Sequence, residues 1–192
     1  MGVISFISKK QTSANVALQD WIRFAQEHHA LGPNFEWDKH VWDITHVIQK
    51  RGFGGAHTRL HFTNNRSTKN TKNKKGEALS SPFLEFSKAY ISEELRRHRL
   101  KEYNKLLGAL RVLEQAAVND GCLDISLLTP RIFDAAATLL GGRYKDPWST
   151  GMQLQNIAKF LDKEGFVFHS LQWMSPFRYR SWFRMVPSPI AP

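Results

Sequence analysis

Between Pro82 and Phe168, apolar residues recur at three- and four-residue steps in four successive segments, the mark of one face of a 3.6-period helix. The longest runs from Leu100 to Val118. It brings Tyr103, Leu106, Leu107, Leu110, Leu113 and Ala117 to one side and sets Lys101, Lys105 and Arg111 opposite. Just upstream lies the cationic run Arg96-Arg97-His98-Arg99. Before it, Ser81-Pro82 reads as a cap followed by a first-turn proline, and Phe83, Phe86, Tyr90 and Leu95 make the stripe that follows. No breaker separates these two segments; ordinary helix lengths place a break near Arg96–His98. Thr129-Pro130 repeats the cap-then-proline signal ahead of Ile132, Phe133, Ala136, Ala137 and Leu140, and Gly141-Gly142 is the expected stop. The last segment begins near Thr150, where Thr150 and Gln153 have the spacing of a capping box. Leu154, Ile157, Ala158 and Leu161 face inward, and Gly165 ends it. Four short amphipathic helices sharing apolar faces predict a compact bundle.

The first 63 residues have a different pattern. A helix is expected from Ser13 to Leu31, with Ser13 as cap and Val16, Ala17, Trp21, Phe24 and Ala25 as its stripe, ended by Gly32-Pro33. From Phe35 to Ile48, Trp42, Ile44 and His46 alternate with Asp43 and Thr45, which predicts a strand. Arg51-Gly52-Phe53-Gly54-Gly55 is a turn, and Arg59-Leu60-His61-Phe62-Thr63 is the returning strand. Because a lone hairpin is marginal in water, this one is expected to lean on the first helix as a small α+β module, residues 1–63.

The order Pro82-Phe83-Leu84-Glu85-Phe86-Ser87-Lys88-Ala89-Tyr90-Ile91, a long second helix, Asp124-Ile125 to Thr129-Pro130, then Trp148-Ser-Thr150 into Gln155-Asn156-Ile157-Ala158-Lys159-Phe160-Leu161, resembles the core-binding domain of tyrosine recombinases, the phage-type site-specific integrases. The resemblance covers roughly half of the chain. It extends to the Trp-Asp-hydrophobic-Thr strand, glycine turn and Phe-Thr strand upstream, and to Trp173-Met-Ser-Pro176, which is similar to the element leading into the family's catalytic domain. It implies a mainly α fold: a SAM-like four-helix core-binding bundle, residues 81–168, gripping one face of duplex DNA, with the small α+β module before it. Other recombinase protomers on the same DNA are implied as further partners.

Charge strengthens that direction. The formal net charge is +10, which points to polyanions. Residues 64–80 carry Arg66, Lys69, Lys72, Lys74 and Lys75, have no apolar residue before Ala78, and cannot offset the entropy of ordering; they read as a basic linker or an arm along phosphates. Residues 169–192 interleave Trp173, Phe177, Arg178, Tyr179, Arg180, Trp182 and Arg184, an aromatic and basic linker that either covers the bundle or stacks on nucleic acid. No apolar run approaches the ~20 residues of a membrane span, and the apolar patch at the start precedes its lysines, opposite to a signal peptide. The single cysteine, Cys122, fits a reducing cytoplasm and packs as a small apolar residue.

The DNA contacts expected from this pattern are cations on one helix and polar groups on another. The first set is Arg96, Arg97, Arg99, Lys101 and Lys105. The second is Thr150, Gln153, Gln155, Asn156 and Lys159, with Lys145 and Trp148 in the loop before it as backbone anchors. Thr150 and Gln153 have the alternative role of cap and cap partner. The bland reading makes all of these the wet faces of a bundle.

No catalysis is expected. The recombinase chemistry that the resemblance brings to mind needs a His-x-x-Arg box, and no histidine here has arginine three residues on. Tyr90 and Tyr103 fall on apolar stripes, and Tyr144 and Tyr179 lack partners for nucleophilic attack, so the chain reads as a recombinase fragment or a catalytically empty relative. His57 and His61 have metal-like spacing without a third ligand nearby. His28-His29 suits a helix end, and no phosphate-cradling glycine loop is present. No cofactor and no small-molecule substrate are expected. The alternative from another class is a non-catalytic adaptor or regulator of a mobile element that meets an acidic protein; it requires an exposed apolar patch. RNA binding through the tail lacks a sheet platform.

Residues 64–80 should be the first stretch cut by trypsin, leaving a resistant fragment that starts near Pro82. Mass mapping of a limited digest checks this, and equal resistance across linker and bundle would remove the two-module division.

Overall fold

Five helices and one two-stranded antiparallel sheet make up the regular structure that the computed structural model describes, over residues 9–29, 31–32, 35–47, 59–62, 79–97, 103–143 and 147–178. In chain order these are α1 (Lys9–Glu27), β1 (Val41–Asp43), β2 (Arg59–His61), α2 (Phe83–Arg96), α3 (Tyr103–Asn119), α4 (Pro130–Arg143) and α5 (Trp148–Glu164). Short 3₁₀ turns lie at Ile125–Leu127 and Pro176–Arg178. The chain forms two compact units, one of Met1–Leu18 with Gly108–Pro192, the other of Gln19–Leu107. The 64–80 linker lies outside the described residues apart from its last two positions. None of the helices is long and apolar enough to cross a membrane.

In the Gln19–Leu107 unit, the sheet pairs Val41 with His61, Trp42 with Leu60 and Asp43 with Arg59. Trp42 and Leu60 are buried while Val41, Asp43 and Arg59 are exposed, so period-two alternation sets the buried face. Around Trp42 stand Phe35 (ring centroids 4.7 Å apart), Trp37 (5.3 Å) and Phe62 (4.8 Å). β1 is shorter than the alternation suggested. Asp43 accepts the Thr45 N–H at 3.0 Å and the Thr45 hydroxyl at 2.5 Å, and this local bonding turns the chain after Ile44. His46 therefore sits exposed in a turn, its Nε2 3.1 Å from the Leu31 carbonyl, and does not extend the alternation.

Beside the sheet, Phe35, which packs on Trp42, meets the His29 ring at 4.8 Å just past the end of α1, and α2 reaches the same aromatic cluster. Lys88 makes the second connection. Only 2% exposed, it donates from Nζ to the Trp37 carbonyl at 2.8 Å and lies over the Phe62 ring at 5.9 Å. In α2 the stripe Phe83, Phe86, Tyr90 and Leu95 is buried as expected, and Phe86 meets Trp21 at 6.0 Å. Ser81 does not cap it. α2 starts at Phe83 after a cis Ser81–Pro82 peptide, and the Leu84 and Phe86 N–H groups donate to the Ser80 and Pro82 carbonyls.

The first helix departs from its expected start and stripe. It begins at Lys9, so Ser13 is inside it, and its buried positions are Ala14, Leu18, Ile22 and Ala25. Val16 and Phe24 are exposed, with Phe24 stacked on His28 at 4.2 Å. Two apolar sets of helical spacing coexist in this segment, and the longer unbroken i, i+4 row is the one that is buried.

In the other unit, α3 buries Ala109, Leu110, Val112, Leu113, Ala116 and Ala117, a wider face than the single stripe. It ends at Asn119 and is closed by Gly121 (φ +72°), after which the Cys122 N–H returns to the Ala117 carbonyl at 2.8 Å. The Cys122 thiol donates to the Asp124 carbonyl at 3.3 Å, and burial pushes its pKa up. Asp124 accepts from Ser126 N–H (2.8 Å) and from the Asn15 amide (2.9 Å). All five expected positions of α4 are buried, from Ile132 to Leu140. Gly141 and Gly142 do not stop it: both stay helical and exposed, and α4 runs to Arg143. α5 starts two residues before Thr150, so no capping box forms; Leu154, Ile157, Ala158 and Leu161 are buried, and Gly165 ends it in the left-handed region (φ +70°).

Burial lowers the Lys88 pKa against the opposing pull of Glu85 and Asp38. The unfolded chain, with lysine near its ordinary value of about 10.4, therefore binds the proton more tightly than the folded one. The stability penalty is fully present below the folded pKa and fades as pH rises through it toward ~10.4. Urea midpoints should thus rise from pH 7 toward pH 10 more in the wild type than in Lys88→Met. Parallel pH profiles for the two proteins would exclude Lys88 as the source.

Candidate nucleic-acid interface

α5 is held from behind by the chain that follows it. The Asp162 carboxylate accepts the Leu171 N–H at 2.6 Å, the Gln172 N–H at 2.7 Å and the Ser170 hydroxyl at 3.3 Å. Trp173 donates its indole N–H to Asp134 at 2.8 Å and packs against Phe133 at 5.3 Å, which ties the strap to α4. Gln155 accepts the Ser175 N–H at 3.0 Å, and Phe177 lies over Gly151. Residues 166–177 thus pack along α4 and α5, the bland alternative for the aromatic tail; residues 179–192 lie outside the described residues.

This strap sorts the expected α5 contacts. Thr150 is 1% exposed, and its hydroxyl is buried with no hydrogen-bond partner; Gln155 is 9% exposed, and its carbonyl oxygen is taken by the strap. Neither side chain faces outward. Gln153 is half-buried, and Asn156 and Lys159 are exposed; they fall at three-residue steps on one ridge of the helix. No hydrogen bond or ion pair engages the side chains of these three among the described residues. Asp162, three residues after Lys159 and its natural ion-pair partner, is spent on the strap. Trp148 is the first residue of α5 and half-buried, not in a preceding loop; Lys145 lies outside the described residues.

The first cationic set belongs to the other unit. At the end of α2, Glu93 is 7% exposed and serves two arginines: Arg96 through paired 2.8 Å bonds from Nε and Nη2, and Arg97 through Nε at 2.5 Å. The Arg96 hydrogen bonds, with the charge of Arg97 beside them, hold the Glu93 carboxyl below the usual carboxylate range. Lys105 is half-buried on α3, and Arg99 and Lys101 lie outside the described residues.

Glu93, which bonds Arg96 and Arg97, and Asp162, which holds the strap behind α5, were not among the expected site residues. Glu93 was legible, since a glutamate three and four residues before two arginines is the favoured helix ion-pair order. Asp162 was not, because its donors come from residues 170–172, across a turn whose Gln172 has φ +40°.

Other features offer less chemistry. A groove of about 500 Å³ is lined by Phe35 and Trp42, but its charged rim is already paired, Glu36 with Lys39 at 3.0 Å and Asp43 with Thr45. Of the His57/His61 pair only His61 is described, and no group of three His, Cys, Asp or Glu side chains that could hold a metal occurs among the described residues.

A Cβ at position 151 would overlap the Phe177 ring and lie 3.1 Å from the Ser175 hydroxyl oxygen. Gly151→Ala should therefore cost about 1–3 kcal/mol by forcing the strap outward. Chemical denaturation measures this, and an unchanged midpoint would show that the strap yields freely.

Compared with known proteins, the chain matches no family model, no curated protein and no solved structure, so the reading of this surface rests on its own residues.

Proposed function

We propose that the chain is a non-catalytic DNA-binding module of the tyrosine-recombinase type, in which residues 81–168 serve as a SAM-like core-binding region that grips duplex DNA for integration or recombination. The observation that carries this is the outer ridge of α5. The side chains of Gln153, Asn156 and Lys159 stand on a 17-residue helix with no hydrogen-bond or ion-pair partner among the described residues. Asparagine and glutamine can pair two bonds to an adenine edge, and lysine binds guanine or phosphate. Arg96, Arg97 and Lys105 add phosphate contacts, and the formal net charge of +10 supports a polyanionic partner. Arg99, Lys101 and Lys145 keep their place in the proposal on sequence grounds. Thr150 and Gln155 leave it.

A second reading has one observation of its own. Val118, Leu123 and Leu127 are exposed within ten residues of one another in sequence, at 50%, 64% and 38%, as an adaptor surface for a protein partner would require.

Fluorescence anisotropy over a salt series separates the two. With about 4–7 phosphate contacts, log affinity should fall against log salt with a slope of about −4 to −6. Lys159→Ala should weaken binding to all duplexes and flatten the slope by about 0.9. Asn156→Ala, with Gln153→Ala, should instead erode the preference for duplexes selected from a random library and leave the slope nearly unchanged. If neither variant, folded by circular dichroism, changes affinity or preference, α5 is only a solvated face and the adaptor reading takes over.

A further inference from the structure

Glu93 has no assigned role in that reading, yet it engages both arginines at the end of α2, Arg96 and its capping neighbour Arg97. Its side chain is 8% exposed, against 51% for Arg96 and 31% for Arg97. The carboxylate is therefore seated beneath two guanidinium groups whose outer parts meet solvent. Arg96 addresses both carboxylate oxygens, which is the fork geometry that a guanidinium offers equally to a phosphate. One carboxylate between two arginines leaves a local charge of +1, so the pair presents to a polyanion half of what its sequence suggests.

We propose that Glu93 is a built-in competitor for the DNA phosphodiester, a residue that sets duplex affinity by withholding one of the two α2 charges. It acts through Arg96 and Arg97 and touches no nucleotide itself, so it is a positioning residue. The inference rests on the DNA-binding reading and names the regulation of that same surface. Two conventional alternatives differ in sign or origin. If Glu93 merely oriented the arginines for phosphate, removing its charge would weaken binding. If it only stabilised the end of α2, its loss would change the melting temperature and leave the salt dependence alone.

The experiment measures binding of the full chain to a random-sequence 30-base-pair duplex between 50 and 200 mM salt. Glu93→Gln keeps the shape and one acceptor oxygen but removes the charge. It should bind more tightly, with a log–log slope steeper by about 0.9, one additional phosphate neutralised. Over that fourfold salt range, its advantage over the wild type should shrink about 3.5-fold, which is four raised to that exponent. Glu93→Met, the second charge-free variant, should give the same steepening, and Glu93→Asp, which keeps the charge, should keep the wild-type slope. With Arg96→Gln and Arg97→Gln already present, Glu93→Gln should change nothing. An unchanged slope in both charge-free variants, on a duplex that the wild type binds, would overturn the competitor role and leave the DNA reading standing. So would a steepening that persists without the two arginines, or weaker binding by the folded variants. Absence of duplex binding by the wild type and every variant would remove the phosphodiester as ligand, and with it the DNA reading as well.

Discussion

The Asp162 carboxylate is the interaction on which the exposed face of α5 depends. Two backbone N–H groups and a hydroxyl from residues 170–172 converge on it, so the strap closes over one side of the helix. Hydrogen bonds to a charged acceptor are stronger than neutral ones, each worth about 1.5–3 kcal/mol where well formed. The strap then places Leu171 and Trp173 among the buried residues and draws Gln155 inward. A second effect follows from charge. Once Asp162 is engaged, Lys159 keeps no acidic partner along its own helix among the described residues, and Asn156 and Gln153 stand beside it. Packing on one side of α5 thus determines what chemistry remains on the other.

The Gln19–Leu107 unit rests on a different constraint, the shortness of its sheet. Three residue pairs of backbone cannot hold a ribbon in water. Trp42, ringed by Phe35, Trp37 and Phe62, supplies the apolar burial, and Lys88 reaches the Trp37 carbonyl from α2. A lysine is an expensive choice there, because its ammonium loses water for one protein acceptor and the face of Phe62. It joins the α2 helix to the aromatic cluster at a position where a purely apolar side chain would leave the Trp37 carbonyl without this donor.

How much of this was legible depends on the range of the interactions. The four helical segments after Pro82 and the inward residues of α4 and α5 follow from short-range periodicity, and they are buried as read. The two strands were legible as alternation, but the length of the first was not, because Asp43 folds back on Thr45 in a bond that competes with the ladder. Caps were the weakest reading. Ser81 and Thr150 both sit beside convincing helix starts, yet the Ser80 carbonyl takes the Leu84 N–H that Ser81 was expected to bind, and Thr150 lies inside α5, which begins at Trp148. In α1 two apolar rows of helical spacing coexist, and the buried one is the longer i, i+4 row of Ala14, Leu18 and Ile22, while Val16 and Phe24 are exposed. Of the candidate site, the exposed residues Asn156 and Lys159 follow from the helix period. The seating of Gln155 does not, since its carbonyl oxygen is taken by the Ser175 N–H twenty residues later.

The same distinction bears on what net charge can mean for a surface. The chain has a formal charge of +10, but its cations are not equally available. Lys88 is buried, Arg96 and Arg97 share Glu93, Lys39 pairs with Glu36, Arg23 with Asp20 and Lys163 with Glu164. The exposed pairs among these are weak and screened by salt, so a polyanion can compete for them at little cost. Glu93 differs, because its carboxylate is nearly buried and its pKa is held down by the hydrogen bonds of Arg96. Displacing it would leave a charge in a poorly hydrated site, a larger penalty than breaking a surface pair. The phosphate affinity of such a helix end is therefore set less by how many arginines it carries than by what a single buried acid already holds.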